Sequence, residues 1–138
     1  METKFNLTAR KEGERMTYRF TIPARLPGAN EYIRSCRTNK FIANKDKHNT
    51  EFFIICCVPV SMRGLNLEKV KIKFTWVEQQ RKRDPDNIRF GAKFILDALQ
   101  QCKVLKQDNL STITALEDEF VVNKTTKAHV IVEITEVQ

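Results

Sequence analysis

Glycine and proline are scarce in this chain, four of each in 138 residues. That excludes a low-complexity linker or a disordered composition. Cysteine is equally sparse: Cys36, Cys56, Cys57 and Cys102. No C-x-x-C pair and no Cys/His cluster at ligand spacing is present, which argues against a structural zinc. Cys56 and Cys57 are adjacent in an apolar run and read as buried free thiols. The two histidines, His48 and His129, are not spaced as a pair. No window approaches the ~20 apolar residues of a membrane-spanning helix, and the opening METKFNLTARKEGERM is too polar for a secretory leader. No G-x-S-x-G, P-loop or glycine-rich nucleotide motif occurs. The expected protein is therefore cytoplasmic, off the membrane and without a small-molecule cofactor.

What the chain does have is positive charge. Lys and Arg total 24 against 17 Asp and Glu, a net charge of +7 and a pI near 9.4. Such a balance suits an anionic partner, nucleic acid above all, although a solvated basic surface has the same composition. The length fits a single domain over residues 1–138, with about 68% of the unfolded surface buried.

Residues 1–15 are polar and read as a loose end or an edge strand. MTYRFTIP alternates, with Tyr18, Phe20 and Ile22 on one side, as a half-buried strand does. The next stretch, residues 24–50, contains Pro27-Gly28 and many cations, among them Arg34, Arg37 and Lys40, with Tyr32 and Phe41 between them. It reads as a long functional loop suited to nucleic-acid contact. A helix is expected from about Asn44 or Asp46 to Val58, stopped by Pro59, with Phe52, Phe53, Ile55 and Cys56 inward. EKVKIKFTWV is the clearest strand, with Val70, Ile72, Phe74 and Trp76 inward and Lys69, Lys71 and Lys73 outward.

A helix is then expected over about 85–102, its stripe formed by Ile88, Ala92, Ile95, Leu96, Leu99 and Cys102, with a possible bend at Gly91. STITALEDEFV and KAHVIVEITEV read as two closing strands joined by NKTTK. The order β-α-β-α-β-β predicts an α/β (α+β) fold: one mixed sheet with helices packed on it.

The segment RKRDPDNI places Arg81, Lys82 and Arg83 directly before Asp84 and Asp86. Asp84-Pro85 is a good helix start, with Asp as N-cap and Pro at the first helical position. A single cap needs one carboxylate, so the second stays in water or shares a cation. Converging carboxylates make an oxygen-rich site of the kind Mg²⁺ prefers, able to activate water and to stabilise charge on a phosphodiester. Arginine forks match phosphate oxygens. Asn87 orients an aspartate or a phosphate, or finishes a cap. Lys93 is four residues before Asp97, a spacing that also suits a plain helix-surface ion pair, and Asp97 reads as supporting structure. Asp108, in KVLKQDNLS, is equally consistent with a turn residue.

RKRDPDN, KFILDAL and the following QDN, together with TIPARLPGANEYIR and the closing VIVEIT, resemble the RusA family of Holliday-junction resolvases, endodeoxyribonucleases common in prophages. The resemblance covers roughly residues 17–136. It implies a RusA-like fold and a homodimer that cuts branched, four-way DNA with Mg²⁺, Mn²⁺ being a substitute, in recombination and repair. Carried over, the metal-binding acids fall on Asp84, Asp86 and Asp108, and the catalytic lysine on Lys93. Arg81, Lys82, Arg83, Asn87, Arg34, Arg37 and Lys40 are the DNA-binding candidates. The gap from Asp86 to Lys93 is longer than in some members of the family, with Arg89, Phe90 and Gly91 as the extra residues. The rival readings are a non-catalytic basic nucleic-acid-binding module and a related nuclease acting on other branched DNA.

Overall fold

The computed structural model of the chain describes residues 6–9 and 16–137. Five strands form one sheet: β1 (Asn6–Ala9), β2 (Met16–Ile22), β3 (Val70–Glu78), β4 (Ile113–Val122) and β5 (His129–Glu136), in the spatial order β1-β2-β5-β3-β4. Helices α1 (Ala29–Thr38), α2 (Lys40–Cys57), α3 (Pro85–Arg89) and α4 (Ala92–Gln101) complete it. This is the mixed sheet with packed helices that the alternating pattern predicts. An edge strand is present at Asn6–Ala9; the rest of the 1–15 segment lies outside the described residues.

The strand pattern is simple to explain. Tyr18, Phe20 and Ile22 of β2, Val70, Ile72, Phe74 and Trp76 of β3, and Val130, Val132 and Ile134 of β5 are all buried in one core. β5 lies between β2 and β3, antiparallel to both. β3 is therefore interior, and the sheet edge beside it falls to β4, which carries acids and is exposed along most of its length. β4 runs parallel to β3, so NKTTK leads the chain past β3 to reach β5 rather than closing a two-strand hairpin. Parallel neighbours need a crossover, and residues 79–112 form it.

The expected long loop over residues 24–50 is instead two helices. α1 buries none of its residues, so it carries too few apolar side chains to announce itself in the sequence. Asn39 ends α1 and starts α2, its Oδ1 accepting the Phe41 and Ile42 amides at 3.0 and 3.2 Å. α2 thus begins several residues before the expected Asn44 or Asp46. Its inward face also differs. Ala43, Glu51 and Ile54 are buried, while Phe52 is 67% and Phe53 41% exposed. Ile55 is half-buried and Cys56 exposed, so the expectation of buried thiols fails there; Cys57 is intermediate. Consecutive residues lie about 100° apart on a helix, so an unbroken apolar run such as FFIICC cannot face one way. The contacts at 47, 51, 54 and 58 set the rotation.

The single helix expected over 85–102 is broken. At Phe90–Gly91 the bonds shorten to i→i+3, with Gly91 N–H to Ile88 O at 3.1 Å and Lys93 N–H to Phe90 O at 3.0 Å. Gly91 sits where a Cβ would stand 3.0 Å from Leu26 Cβ and 3.3 Å from Trp76 Cζ3, so the bend lets backbone pack directly on the core. Phe94 and Ala98, outside the expected stripe, are buried as well. Phe90 and Phe94 meet edge to face at 5.8 Å, and Tyr32 of α1 lies 5.6 and 5.9 Å from them. α4 ends in a Schellman turn, with Val104 N–H to Leu99 O at 2.9 Å and Lys103 N–H to Gln100 O at 3.2 Å. Lys103 takes the left-handed position at φ 62.

The rotation of α2 is directly checkable. Ile54→Ala should cost about 2–5 kcal/mol, whereas Phe52→Ser should change stability by less than about 0.5 kcal/mol. Equilibrium denaturant unfolding of both variants measures this, and equal losses would mean that the helix is turned the other way.

Candidate functional site

Asp84 stands at the N-cap of α3 with Pro85 at the first helical position, as the sequence predicts, yet its side chain makes no capping bond. It is exposed and has no hydrogen-bond or ion-pair partner among the described residues. Asp86 is exposed too, and its Oδ1 accepts only the adjacent Asn87 amide, at 2.9 Å. The motif's two carboxylates are therefore not consumed in holding the helix.

Asn87 has a structural task. Its Oδ1 accepts the Asn30 amide at 3.0 Å, in the first turn of α1. The N-cap of that helix is Gly28, which has no side chain with which to cap. A Cβ on Gly28 would lie 2.6 Å from Asn87 Oδ1. Glycine thus makes room for a cap supplied from a distance of 57 residues in the chain, while Glu31 Oε1 accepts the Gly28 amide at 2.9 Å. Of the two roles open to Asn87 in the sequence, the structure shows a cap, and for another helix.

Arg83 is likewise turned inward. Its side chain is 12% exposed; Nη1 pairs with Glu78 Oε2 at 3.1 Å, and Nη2 lies 3.8 Å from Glu31 Oε1 and 3.3 Å from Leu26 O. It ties the end of β3 to α1, which removes it from the expected set of free phosphate contacts. Arg81 and Lys82 are exposed and line an open depression with Gln79, Gln80 and Lys124. Arg34 and Arg37 of α1 and Lys40 of α2 are exposed as well.

Lys93 and Asp108 belong to a second cluster. The crossover leaves the C-terminal end of β3, where Asp84 and Asp86 lie, and returns to the start of β4. Leu105 bridges Leu67, three residues ahead of β3, which fixes the return. Asp108 is on that returning segment, where Asn109, not Asp108, shapes the turn by accepting the Ser111 amide at 2.9 Å. Asp108 is close enough to Asp97 to help raise its carboxyl. Lys93 Nζ reaches Asp97 Oδ2 at 4.0 Å, and Lys47 Nζ of α2 reaches the same oxygen at 3.6 Å. Lys47 also pairs with Glu51 Oε2 at 2.9 Å, and Gln101 Nε2 donates to Glu51 Oε1 at 2.7 Å. The expected convergence of Asp108 on Asp84 and Asp86 is not what the structure shows. Among the described residues, no three His, Cys, Asp or Glu side chains gather as a metal-ligand group.

Burial and charge act against one another in this cluster. Burial, the largest influence, raises the Asp97 carboxyl above its usual range, with Lys93 and Lys47 opposing and Glu51 and Asp108 assisting. Burial also pushes Glu51 upward, but the bonds and charge from Lys47 and the bond from Gln101 outweigh it, and its carboxyl is lowered. Lys47 is raised, first by its bond to Glu51.

Sequence reasoning passed over Lys47, Glu51 and Asp118. Lys47 and Glu51 have the i,i+4 spacing of a helix ion pair, but that signal was hidden inside a segment read as part loop. Asp118 accepts Trp76 Nε1 at 2.7 Å and Arg89 Nε at 2.8 Å. Only the strand register reveals it, through the pairing of Phe74 with Asp118.

No family model and no curated protein matches the chain. Among solved structures it is similar to a chain of the "Crystal structure of HypE-HypF complex", at 12% identity and a TM-score of 0.38. The match covers 88% of this chain and 32% of that one, so the chain spans about a third of its neighbour's length. A likeness at that score carries no argument about fold or function. No helix among the described residues is long and apolar enough to cross a membrane.

Two measurements check the site. Asn87→Ala should lower stability by about 1 kcal/mol through the lost cap, read as a shift of the denaturation midpoint; an unchanged midpoint would remove the cap's role. For Asp97, a folded-state pKa above the unfolded one gives stability that is complete below the unfolded value and lost as pH rises through the folded one. Asp97→Asn should then be at least as stable as the parent at pH 7, and its advantage should vanish in acid below the carboxylate range. Glu51 has the opposite sign, its contribution being lost as pH falls, so Glu51→Gln should be destabilised at neutral pH.

Proposed function

We propose that this chain is a metal-dependent, structure-selective DNA endonuclease of the RusA kind, cutting four-way or related branched DNA. The observation that carries the reading is the unpartnered Asp84 carboxylate at a helix start, two residues from an equally exposed Asp86, immediately behind the exposed Arg81 and Lys82. A carboxylate at an N-cap that does not cap is left available for another cation.

The donor chemistry fits Mg²⁺, which is commonly held by one or two carboxylates with water and phosphate oxygens completing the shell. Asp84 and Asp86 are the residues that would hold it. When bound, the ion supplies charge stabilisation at the phosphodiester and a more acidic water. The resemblance adds Asp108 as a third ligand; in this reading Asp108, which helps raise the Asp97 carboxyl, is grouped with Lys93 instead. Arg81 and Lys82 draw the DNA backbone to the acids, and Arg34, Arg37 and Lys40 extend the basic surface along α1 and α2. Lys93, half-exposed in the first turn of α4, offers its ammonium to the scissile phosphate. A homodimer would present two such sites to the like strands of a junction.

The structural duties of Asn87 and Arg83 favour a second reading, in which DPDN only docks two helices and the chain is a basic binding module. Incubation of a synthetic four-way junction with Mg²⁺ or Mn²⁺ separates the two. Cutting is expected from the parent chain, with Asp84→Asn and Asp86→Asn inactive yet still bound to the junction. Asp108→Asn should cut slowly while retaining Mn²⁺ binding; loss of that binding would restore Asp108 to the metal. Arg81→Ala should reduce the slope of log affinity against log salt by about 1. Salt-sensitive binding with no cleavage under either metal would favour the binding module.

A further inference from the structure

Glu51 is 1% exposed and is anchored from two sides, by Lys47 of its own helix and by Gln101 of α4. Its Oε2 is buried and faces the Lys47 ammonium at 2.9 Å. Burying an ion pair is costly, and an apolar pair of similar volume often serves stability as well or better. This pair sits on the inner face of α2, where Ala43 and Ile54 pack, so an apolar pair would suit the position. The Lys47 ammonium is also directed beyond its own helix. It is 3.6 Å from Asp97 Oδ2, the atom that Lys93 approaches to 4.0 Å from one turn away. One ammonium, that of Lys47, therefore bridges Glu51 and the carboxylate that Lys93 approaches.

We infer that Lys47, fixed by the buried Glu51, is a positioning residue for the cleavage reaction: it holds Asp97, and through Asp97 it sets where Lys93 stands. This rests on the nuclease reading for the reaction, but not for the geometry. Lys47 does not touch the substrate. Its ammonium competes with Lys93 for one carboxylate oxygen, so that Lys93 is held at the margin of an ion pair and remains half-exposed. Without Lys47, Asp97 would have Lys93 as its sole cation among the described residues, and the lysine would be drawn down against α4, away from the DNA.

The test uses the full chain with Lys47→Met, with Lys47→Arg as the charge-keeping variant and Lys45→Met, an exposed neighbour, as control. In metal-free protein labelled with ¹³C at aspartate carboxyls, the Asp97 resonance should move in Lys47→Met and stay in place in Lys45→Met. With four-way junction and Mg²⁺, Lys47→Met should lose about tenfold or more in turnover, as removal of supporting groups commonly does, while junction affinity is unchanged. Lys47→Arg tells a folding failure from a positioning effect: a folded Lys47→Arg chain should keep the Asp97 resonance near its parent position. An unmoved resonance in a folded Lys47→Met chain would overturn the inference, as would a moved resonance with full turnover. If the parent chain cuts no junction, the nuclease reading fails, and the carboxyl resonance alone still decides whether Lys47 positions Asp97.

Discussion

The placement of the acidic motif depends on one long-range hydrogen bond, from the Asn30 amide to the Asn87 side chain. α1 begins at a glycine and cannot cap itself, so its first turn carries an exposed amide that another element must satisfy. Asn87 meets that need only if the DPDN turn sits against Gly28. Arg83 fixes the same junction from the other side, through Glu78, Glu31 and the Leu26 carbonyl. Between these two contacts the backbone of Asp84 and Asp86 has little freedom, while their carboxylates are released from structural duty. That division of labour within one short segment makes the segment a plausible site rather than a simple helix start.

The crossover between β3 and β4 imposes the second constraint. Because the two strands are parallel, the chain must travel the length of the sheet between them. It carries the paired aspartates at its departure and Asp108 at its return. Arg89, Phe90 and Gly91 lie within this path, and the bend at Gly91 packs backbone on Leu26 and Trp76. Lys93 then opens α4 between the two acidic groups. Chemistry along this face is best described as two linked clusters, one of exposed oxygen donors and one of half-buried charges stabilised by α2.

Stability in that second cluster depends on pH through two carboxyls. Asp97 resists ionisation because it is buried, while Glu51 is kept ionised by Lys47 and Gln101. The two carboxyls respond to pH in opposite directions, so the helices α2 and α4 are joined by contacts that neither strong acid nor high pH favours as a whole. Apolar packing alone would have no such dependence.

Alternation along MTYRFTI, VKIKFTWV and HVIVEITE was enough to read three of the strands and their inward side chains, because a period of two leaves one possible buried face once a sheet has a core. The α3 start was equally legible, since Asp-Pro constrains the backbone locally. The α1 helix was not, because its stability comes from Tyr32 packing on Phe90 and Phe94 and from a cap lent by Asn87, neither of which leaves a local pattern. The rotation of α2 was hidden for a related reason: seven residues of mostly apolar sequence permit several faces, and the partner helix chooses among them. Residue type alone identified Asp84 and Asp86 as candidate donors, because two carboxylates beside one cap exceed what a cap uses. Which neighbours Asp108 and Lys93 would have was decided only by the parallel pairing of β3 and β4, since the distance between groups far apart in sequence is set by strand order and not by spacing along the chain.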